Sequence, residues 1–569
     1  MEEERGKAGP ARPPAPDADP EKAATRLLGR IVGEMAGGGE ERPGQAEMVA
    51  LVARAIRTGT HLVIQAGTGT GKSLGYLVPA ALSGRPVVVA TATKALQDQL
   101  ATKDLPLLAG AVDEPFSWAV LKGRSNYLCR QRAAEVGDEG EQQRFDEVGD
   151  EVGDEDAAAA PVDPGRLADQ LRRLLRWAGQ TKTGDRADLP FEPSARAWSM
   201  VSVGPRECPG AFRCPSGSRC FAEAARDQAE AADVVVVNTH LYGAHLASGG
   251  TVLPAHDVVV FDEAHELEEV MTDSLGVEVT PGRFRALAVA SRALLEKQDG
   301  PSIDELLEVA DRMASVLVAH LGTRVSLGPD AERPDRDVAD VLVLAGNRLD
   351  VVNGRLRAAE RGGSREEEAG LFRALSAAGR LADDLARLAE PTETEVAWVD
   401  GDRRAPALCL SPVDVGPALA GALWGEVTAV LTSATIPPGI ERNLGLDGYG
   451  AQRVDVGSPF DFANHSLLYV ARHLPDRRRP GAEEAMIEEL DALIRAAGGR
   501  TLALFTSRRA TEAAAHALKG KLPYRVLVQG ERPKPRLLEL FSAEESSCLF
   551  ATLGFWQGVD VPGRSLSLV

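Results

Sequence analysis

The stretch that most limits what this chain can fold into is HLVIQAGTGTGKSLGYLVPAAL, running from His61 to Leu82. It opens on a short apolar run, crosses a loop of small residues and continues into an amphipathic stretch, which predicts strand, loop and helix in succession. The loop Ala66 to Ser73 follows the phosphate-binding pattern G-x-x-x-x-G-K-[ST], with Ala66 where the strict pattern has its first glycine. Gly67, Gly69 and Gly71 permit unusual backbone angles, so successive amide N–H groups can face one concavity at a helix N-terminus and bind phosphate oxygens. Lys72 would place a point charge on the β and γ phosphates, and the Ser73 hydroxyl suits Mg2+. A flexible Gly/Thr loop with a chance lysine would not explain the strand before it and the helix after it.

A second apolar run, HDVVVFDEAHELEE, ends in two carboxylates, Asp262 and Glu263. At the carboxyl end of a buried parallel strand, Asp262 is placed to support Mg2+ opposite Ser73. Glu263 can orient and deprotonate an attacking water. Alone, DEAH could be the polar start of a surface helix; the phosphate loop upstream argues otherwise. Further Val-rich runs lie at Arg85–Leu100, Ala232–Tyr242 and Val427–Thr435, and each predicts a buried strand of a doubly wound sheet. The same grammar restarts after about residue 455 without a phosphate loop, which predicts a second α/β unit.

ECPGAFRCPSGSRC, Glu207 to Cys220, holds three of the six cysteines, and GRSNYLCRQR upstream adds Cys129. Four thiols between phosphate loop and DEAH suit tetrahedral zinc or an iron-sulfur cluster. Zinc knuckles usually pair their cysteines two to four residues apart, a habit that five-residue spacers do not follow. Spacing alone leaves cluster, zinc and unrelated buried thiols open. Cys409 and Cys548 lie in apolar runs and read as core thiols. Lys122, Arg124, Tyr127, Arg130, Arg132, Phe212, Arg213, Arg219 and Phe221 surround the four, as a charged track with stacking faces for a single strand or as surface and packing residues. GRLADQLRRLLRWAG puts Leu167, Leu171, Leu174, Leu175 and Ala178 on one helical face, as a small domain there would need.

From about Thr280 to Pro391 the pattern turns helical, with Ile303, Leu306, Leu307, Ala310, Met313, Ala314 and Leu317 on one stripe and Ser302/Glu305 spaced as a capping box. The chain is acidic, with a formal charge of -20, so nucleic-acid binding requires a local basic stripe rather than a basic whole. The acid is concentrated in particular segments, one of them the low-complexity run 135–160, a solvated loop by composition. Residues 1–24 are Pro- and charge-rich without a secretory apolar core and read as a disordered leader on a cytoplasmic protein. No apolar run is long enough to span a membrane.

The order of motifs resembles superfamily 2 helicases, specifically the bacterial DinG branch of the XPD-like iron-sulfur helicases. The likeness extends from RPGQAEM at Arg42 through AGTGTGKS, TATKALQDQL, DEAH, TSAT at Thr432–Thr435 and GSPFDF at Gly457–Phe462 to FWQGVDVPG at Phe555–Gly563. The resemblance implies two RecA-like parallel-sheet α/β lobes, with an iron-sulfur insertion and a helical Arch insertion in the first. The expected division is lobe 1 at 25–118, 231–279 and 401–440, cluster domain at 119–230, Arch at 280–400 and an incomplete lobe 2 at 441–569. ATP would bind between the lobes on Arg42, Gln45 as reader of the adenine edge, Gly67, Thr68, Gly69, Thr70, Gly71, Lys72, Ser73 and His265, with Lys72, Asp262 and Glu263 catalytic and Mg2+ on Ser73 and Asp262. Cys129, Cys208, Cys214 and Cys220 would hold a [4Fe-4S] cluster. Single-stranded or forked DNA, a single-strand-binding protein, a monomeric state and 5′-to-3′ travel in repair or replication are implied as well.

The resemblance fails at the end. The sequence stops at SLSLV, soon after Gly558 and Asp560, and has no Q-x-x-G-R-x-x-R motif of the kind whose arginines reach the γ-phosphate in the family. The expectation is a truncated gene product, a gene-model error or a fragment, with hydrolysis by the chain as it stands weakened, since arginine fingers are worth about 10^3 to 10^5 in rate. The opposed expectations are an ATP-dependent DNA helicase and an ATP- and DNA-binding iron-sulfur protein with little turnover. An RNA helicase of the DEAH type shares the box but lacks the four cysteines.

Overall fold

The computed structural model describes residues 19–34, 39–138, 164–205, 207–328, 333–359, 365–532, 534–556, 559, 561 and 563–569. Most of the acidic run 135–160, the leader before Asp19, Gly558 and Asp560 lie outside the described residues. The chain divides into two units, one of residues 1–189 and 193–459, the other of 190–192 and 460–569.

In the first unit, helices α1 (Pro20–Glu34) and α2 (Pro43–Thr58) precede β1 (Leu62–Gln65), and α3 (Lys72–Leu82) follows it. Helix α1 starts inside the expected leader 1–24, because Ala24, Leu27, Leu28, Ile31 and Val32 form a buried face. Strands β2 (Val87–Thr91), β3 (Trp118–Val120), β4 (Val234–Asn238) and β5 (Val258–Asp262) extend the sheet. The chain then builds a small antiparallel sheet from β6 (Val277–Val279), β7 (Arg324–Val325), β8 (Glu395–Gly401) and β9 (Pro406–Pro412), in the order β6-β9-β8-β7. It returns as β10 (Thr428–Ser433) and β11 (Gln452–Asp455). The large sheet is parallel in every pairing, with the order β11-β1-β10-β5-β2-β4-β3.

Alternate side chains of this sheet enter different cores. Leu62, Ile64, Val87, Val89, Val258 and Val260 pack with α1 to α3, whereas Val63, Val88, Ala90, Val259, Phe261 and Leu431 pack on the opposite side. Burial on both faces is why these strands read as unbroken Val-rich runs. Strand β11 has no such signature because its residues are mostly exposed at the sheet edge. It belongs to the first sheet all the same, so the first unit extends to Pro459 and not to the expected 440.

Helices Pro281–Arg292, Gly300–Ala319, Arg336–Ala358 and Arg365–Ala389 form a bundle with a core of its own, which the small sheet shares through Leu408 and Leu410. Strands β8 and β9 therefore go with the helices, and the return to the first sheet comes after Pro412 rather than at 401. The expected apolar stripe is present, with Ile303, Leu306, Ala310, Met313 and Leu317 buried. The capping box is not: the helix begins at Gly300 after Asp299, so Ser302 and Glu305 lie inside it. Between β3 and β4, Leu167, Leu171 and Leu174 are buried as expected, and isolated bridges join Tyr127 to Asp185 and Leu128 to Ser202.

The second unit carries β12 (Thr501–Leu504), β13 (Val526–Val528) and β14 (Cys548–Ala551), parallel in the order β12-β14-β13. Cys548 is buried on the central strand, and burial pushes its thiol up to about 11.

The helical insertion should respond separately to core damage. Leu349 is fully buried among its helices. Leu349→Ala should cost about 2–5 kcal/mol. Limited proteolysis should show earlier cuts within residues 281–412, while binding of a fluorescent ATP analogue stays at the wild-type level.

Candidate active site

The phosphate loop is held open by its neighbours in sequence and in space. Gly69 and Gly71 have φ of 79° and 84°, in the left-handed region that favours glycine. Gly71 then caps α3, whose first amides have no partners within the helix. Ala66 N–H donates to the Ser433 carbonyl (2.9 Å) and Gly67 N–H to that of Gly457 (2.9 Å), while the Thr70 hydroxyl donates to the Gly67 carbonyl (2.7 Å). Thr68 and Gly69 stand exposed at the tip.

Arg42 and Gln45, expected at the adenine, both touch this loop. Arg42 Nη1 donates to the Gly69 carbonyl, and the buried Gln45 amide donates to that of Gly71 at 3.0 Å. Arg42 Nε is also buried and has no hydrogen-bond partner among the described residues.

Sheet order brings the remaining groups together. Strands β1 and β5 both flank β10, so the residues at their carboxyl ends converge. Lys72 Nζ lies 2.9 Å from Glu263 Oε1, and the Ser433 hydroxyl donates to Glu263 Oε2 at 3.2 Å. His265 Nδ1 is 2.7 Å from the same hydroxyl and 3.4 Å from Glu263 Oε2. Tyr76 approaches the two expected Mg2+ residues: its buried hydroxyl donates to Asp262 Oδ2 at 2.9 Å and feels the Ser73 side chain electrostatically. Burial raises the Asp262 carboxyl to about 6, with the Lys72 charge opposing it. Glu263 itself has φ of 56°, a left-handed conformation rare for a residue with a side chain. Ser433, Tyr76 and Gly457 were not singled out as site residues from the sequence. Ser433 and Gly457 lie in the motif segments TSAT and GSPFDF, whereas Tyr76 has no local signal.

All four cysteines line one cavity, together with Arg124 and with Arg373 of the helical insertion. Arg124 Nη1 is 3.6 Å from Cys208 Sγ, and its other nitrogen pairs with Glu223. Burial raises the Cys129 thiol to about 11. Among the described residues no three His, Cys, Asp or Glu side chains converge closely enough to hold a single metal ion. Several surrounding residues take the packing role weighed for them. Lys122 is buried between Asp98 (2.9 Å) and Asp185 (2.8 Å), Tyr127 and Phe221 are buried, and Arg130 stacks on Phe221 at 4.1 Å. Phe212, by contrast, is fully exposed.

This arrangement can bind a polyphosphate with its divalent ion and present a carboxylate to water, which is the chemistry of a phosphate-loop nucleoside triphosphatase. Residues 490–569 match the family described as Helicase C-terminal domain. ATP-dependent helicase DinG of Mycobacterium tuberculosis is 39% identical over 556 residues, covering 94% of this chain and 81% of that protein. ATP-dependent DNA helicase YoaA of Escherichia coli is 32% identical over 557 residues, covering 94% and 82%. A solved structure described as an XPD helicase aligns at a TM-score of 0.47 and 13% identity, over 90% of this chain and 80% of that one. The chain belongs to the DinG family of ATP-dependent helicases.

Two outcomes follow from the geometry. A Cβ on Gly71 would overlap the Gln45 amide and burden a left-handed φ. Gly71→Ala should therefore weaken ATP binding at least tenfold in equilibrium dialysis without lowering the melting midpoint by more than a few degrees. The second concerns pH. In the metal-free protein the Asp262 carboxyl has its pKa raised from 3.8 to about 6. Its stabilising contribution is thus full below the unfolded value and is lost as pH rises through about 6. Mg2+ requires the ionised form, so Mg2+-dependent nucleotide affinity should move oppositely, falling up to tenfold per unit below pH 6 and staying level above it. Asp262→Asn should abolish that slope.

Proposed function

We propose that this chain is an ATP-dependent DNA helicase that travels 5′-to-3′ on single-stranded DNA, acts on forked substrates in repair or replication, and carries a [4Fe-4S] cluster on Cys129, Cys208, Cys214 and Cys220. The observation that carries the motor reading is the Lys72–Glu263 pair bridged through Ser433 to His265. Without nucleotide, Lys72 and Glu263 neutralise one another. Phosphate oxygens compete for the lysine and release Glu263, which can then accept a proton from water. Ser433 senses that release at the end of β10, so TSAT is where hydrolysis is felt by the rest of the sheet. Arg42, with its unpartnered Nε–H, and Gln45 meet the base while fixing the loop.

The cluster reading is supported by the donor set. Zn–S bonds of about 2.3 Å bring four sulfurs to within about 4 Å of one another. The four thiols here line a single cavity, and four thiolates are a ligand set that an iron-sulfur cluster takes. When bound, it would supply cross-links between the segment at Cys129 and the loop 207–220. The insertion of residues 281–412 fits the role of an Arch over the strand, and Phe212 is exposed where a base could stack. A single-strand-binding protein fits as partner, and no described helix is long and apolar enough to cross a membrane; we place the chain in the cytoplasm as a monomer.

The test uses anaerobically purified chain. Glu263→Gln should bind ATP as the wild type does while losing about 10^2 to 10^4 in DNA-stimulated turnover. The wild type should unwind a duplex with a 5′ tail and leave one with a 3′ tail intact. Equal turnover by Glu263→Gln would remove the motor assignment, and a preference for the 3′ tail would reverse the direction.

A further inference from the structure

Two neighbouring residues of the helix Arg365–Ala389 reach the cysteine segment. Arg213, between Cys208 and Cys214 in sequence, lies over the Phe372 ring at 4.3 Å. Arg373 lines the cysteine cavity, acts electrostatically on Cys214 and has Nη2 3.3 Å from Glu135 Oε1. Glu135 accepts from the Gln131 amide at 3.2 Å, and Gln131 in turn accepts from the Ser216 hydroxyl at 3.2 Å. The network thus runs from Arg373 to a residue two positions past Cys214. The same helix buries Ala374, Ala378, Leu381 and Leu385 in the core of the helical insertion. The backbone of Arg373 is therefore carried by the insertion's core, while its guanidinium pairs with Glu135 of the cysteine segment. Arg124, the other cavity guanidinium, comes from the cysteine segment itself and carries no information about the insertion.

We propose that Arg373 is a tuning residue of the cysteine site, through which docking of the helical insertion sets the reduction potential of the cluster. The proposal rests on the cluster reading above. One electron taken from an electrode adds one negative charge to the cluster, and a guanidinium in the cavity stabilises that more negative state. Glu135 offsets part of the charge, so the effect is moderate. Undocking of the helix withdraws the guanidinium and lowers the potential.

The experiment measures iron and sulfide content and the electrochemical midpoint of the anaerobic full chain, for wild type, Arg373→Gln, Arg373→Lys and Arg387→Gln. Arg387 sits on the same helix but pairs with Glu395, so its variant should match the wild type. Arg373→Gln should keep its iron and shift the midpoint to more negative potential by an amount equivalent to about tenfold in the reduction equilibrium, 59 mV for one electron. Arg373→Lys should restore most of it. An unchanged midpoint in iron-loaded Arg373→Gln would overturn the tuning role and leave the cluster standing. Absence of iron and sulfide from the wild type would instead overturn the cluster reading and the proposal with it. If Arg373→Gln sheds its iron, Arg373→Lys decides: iron retained at the wild-type midpoint supports the charge, and loss of iron from both overturns it.

Discussion

The placement of β10 between β1 and β5 is what the rest of the first unit depends on. That order puts Ser433 between the phosphate loop and the Asp262–Glu263 pair, and lets its carbonyl hold Ala66 while its hydroxyl holds Glu263. The chain leaves β5 at Asp262 and does not return to the sheet until Thr428. Such a detour is tolerable because β5 and β10 are paired neighbours, so the ends of the inserted segment are already close. Closing a longer loop between fixed ends adds only about 0.6 kcal/mol per doubling of length, and the insertion repays it with a core of its own.

The site is also where the structure accepts local cost. Asp262 is buried enough to raise its carboxyl, Tyr76 and Lys72 partly compensate, and Glu263 holds a left-handed backbone. Strained backbone and imperfectly solvated charge persist only where the surroundings over-determine them. Here the surroundings are two parallel strands with side chains packed on both faces, so the fold supplies the rigidity that the carboxylates need.

Local pattern made the phosphate loop, the DEAH strand and the Val-rich strands legible, because burial on both faces and a glycine-lined turn each leave a mark within ten residues. Contacts made across the sheet leave no such mark. Nothing near Tyr76 announces a bond to Asp262, 186 positions away, and nothing near Ser433 announces Glu263. Strand β11 was missed because an edge strand needs no apolar run, and the boundary after residue 440 was misplaced with it. Lys122 is a case where the sequence left both readings open, DNA contact and packing residue. A lysine among basic and aromatic residues resembles a DNA contact, but Asp98 and Asp185 approach it from distant segments and bury it as an ion pair. Composition reports which charges are present and cannot report which are already partnered.

The two insertions are not independent ornaments on the sheet. The helical one hangs from the ends of β5 and β10, the strands that carry Glu263 and Ser433, and its first anchor, the helix Leu267–Leu275, starts four residues beyond Glu263. Asn443, just after TSAT, donates to Glu268 of that helix at 2.8 Å. The carboxylate and hydroxyl therefore lie next to the insertion's own attachment points, without a long chain of side chains between them. At its far end the insertion meets the cysteine segment through Phe372 and Arg373. Both insertions are thus tied into one sheet and to each other.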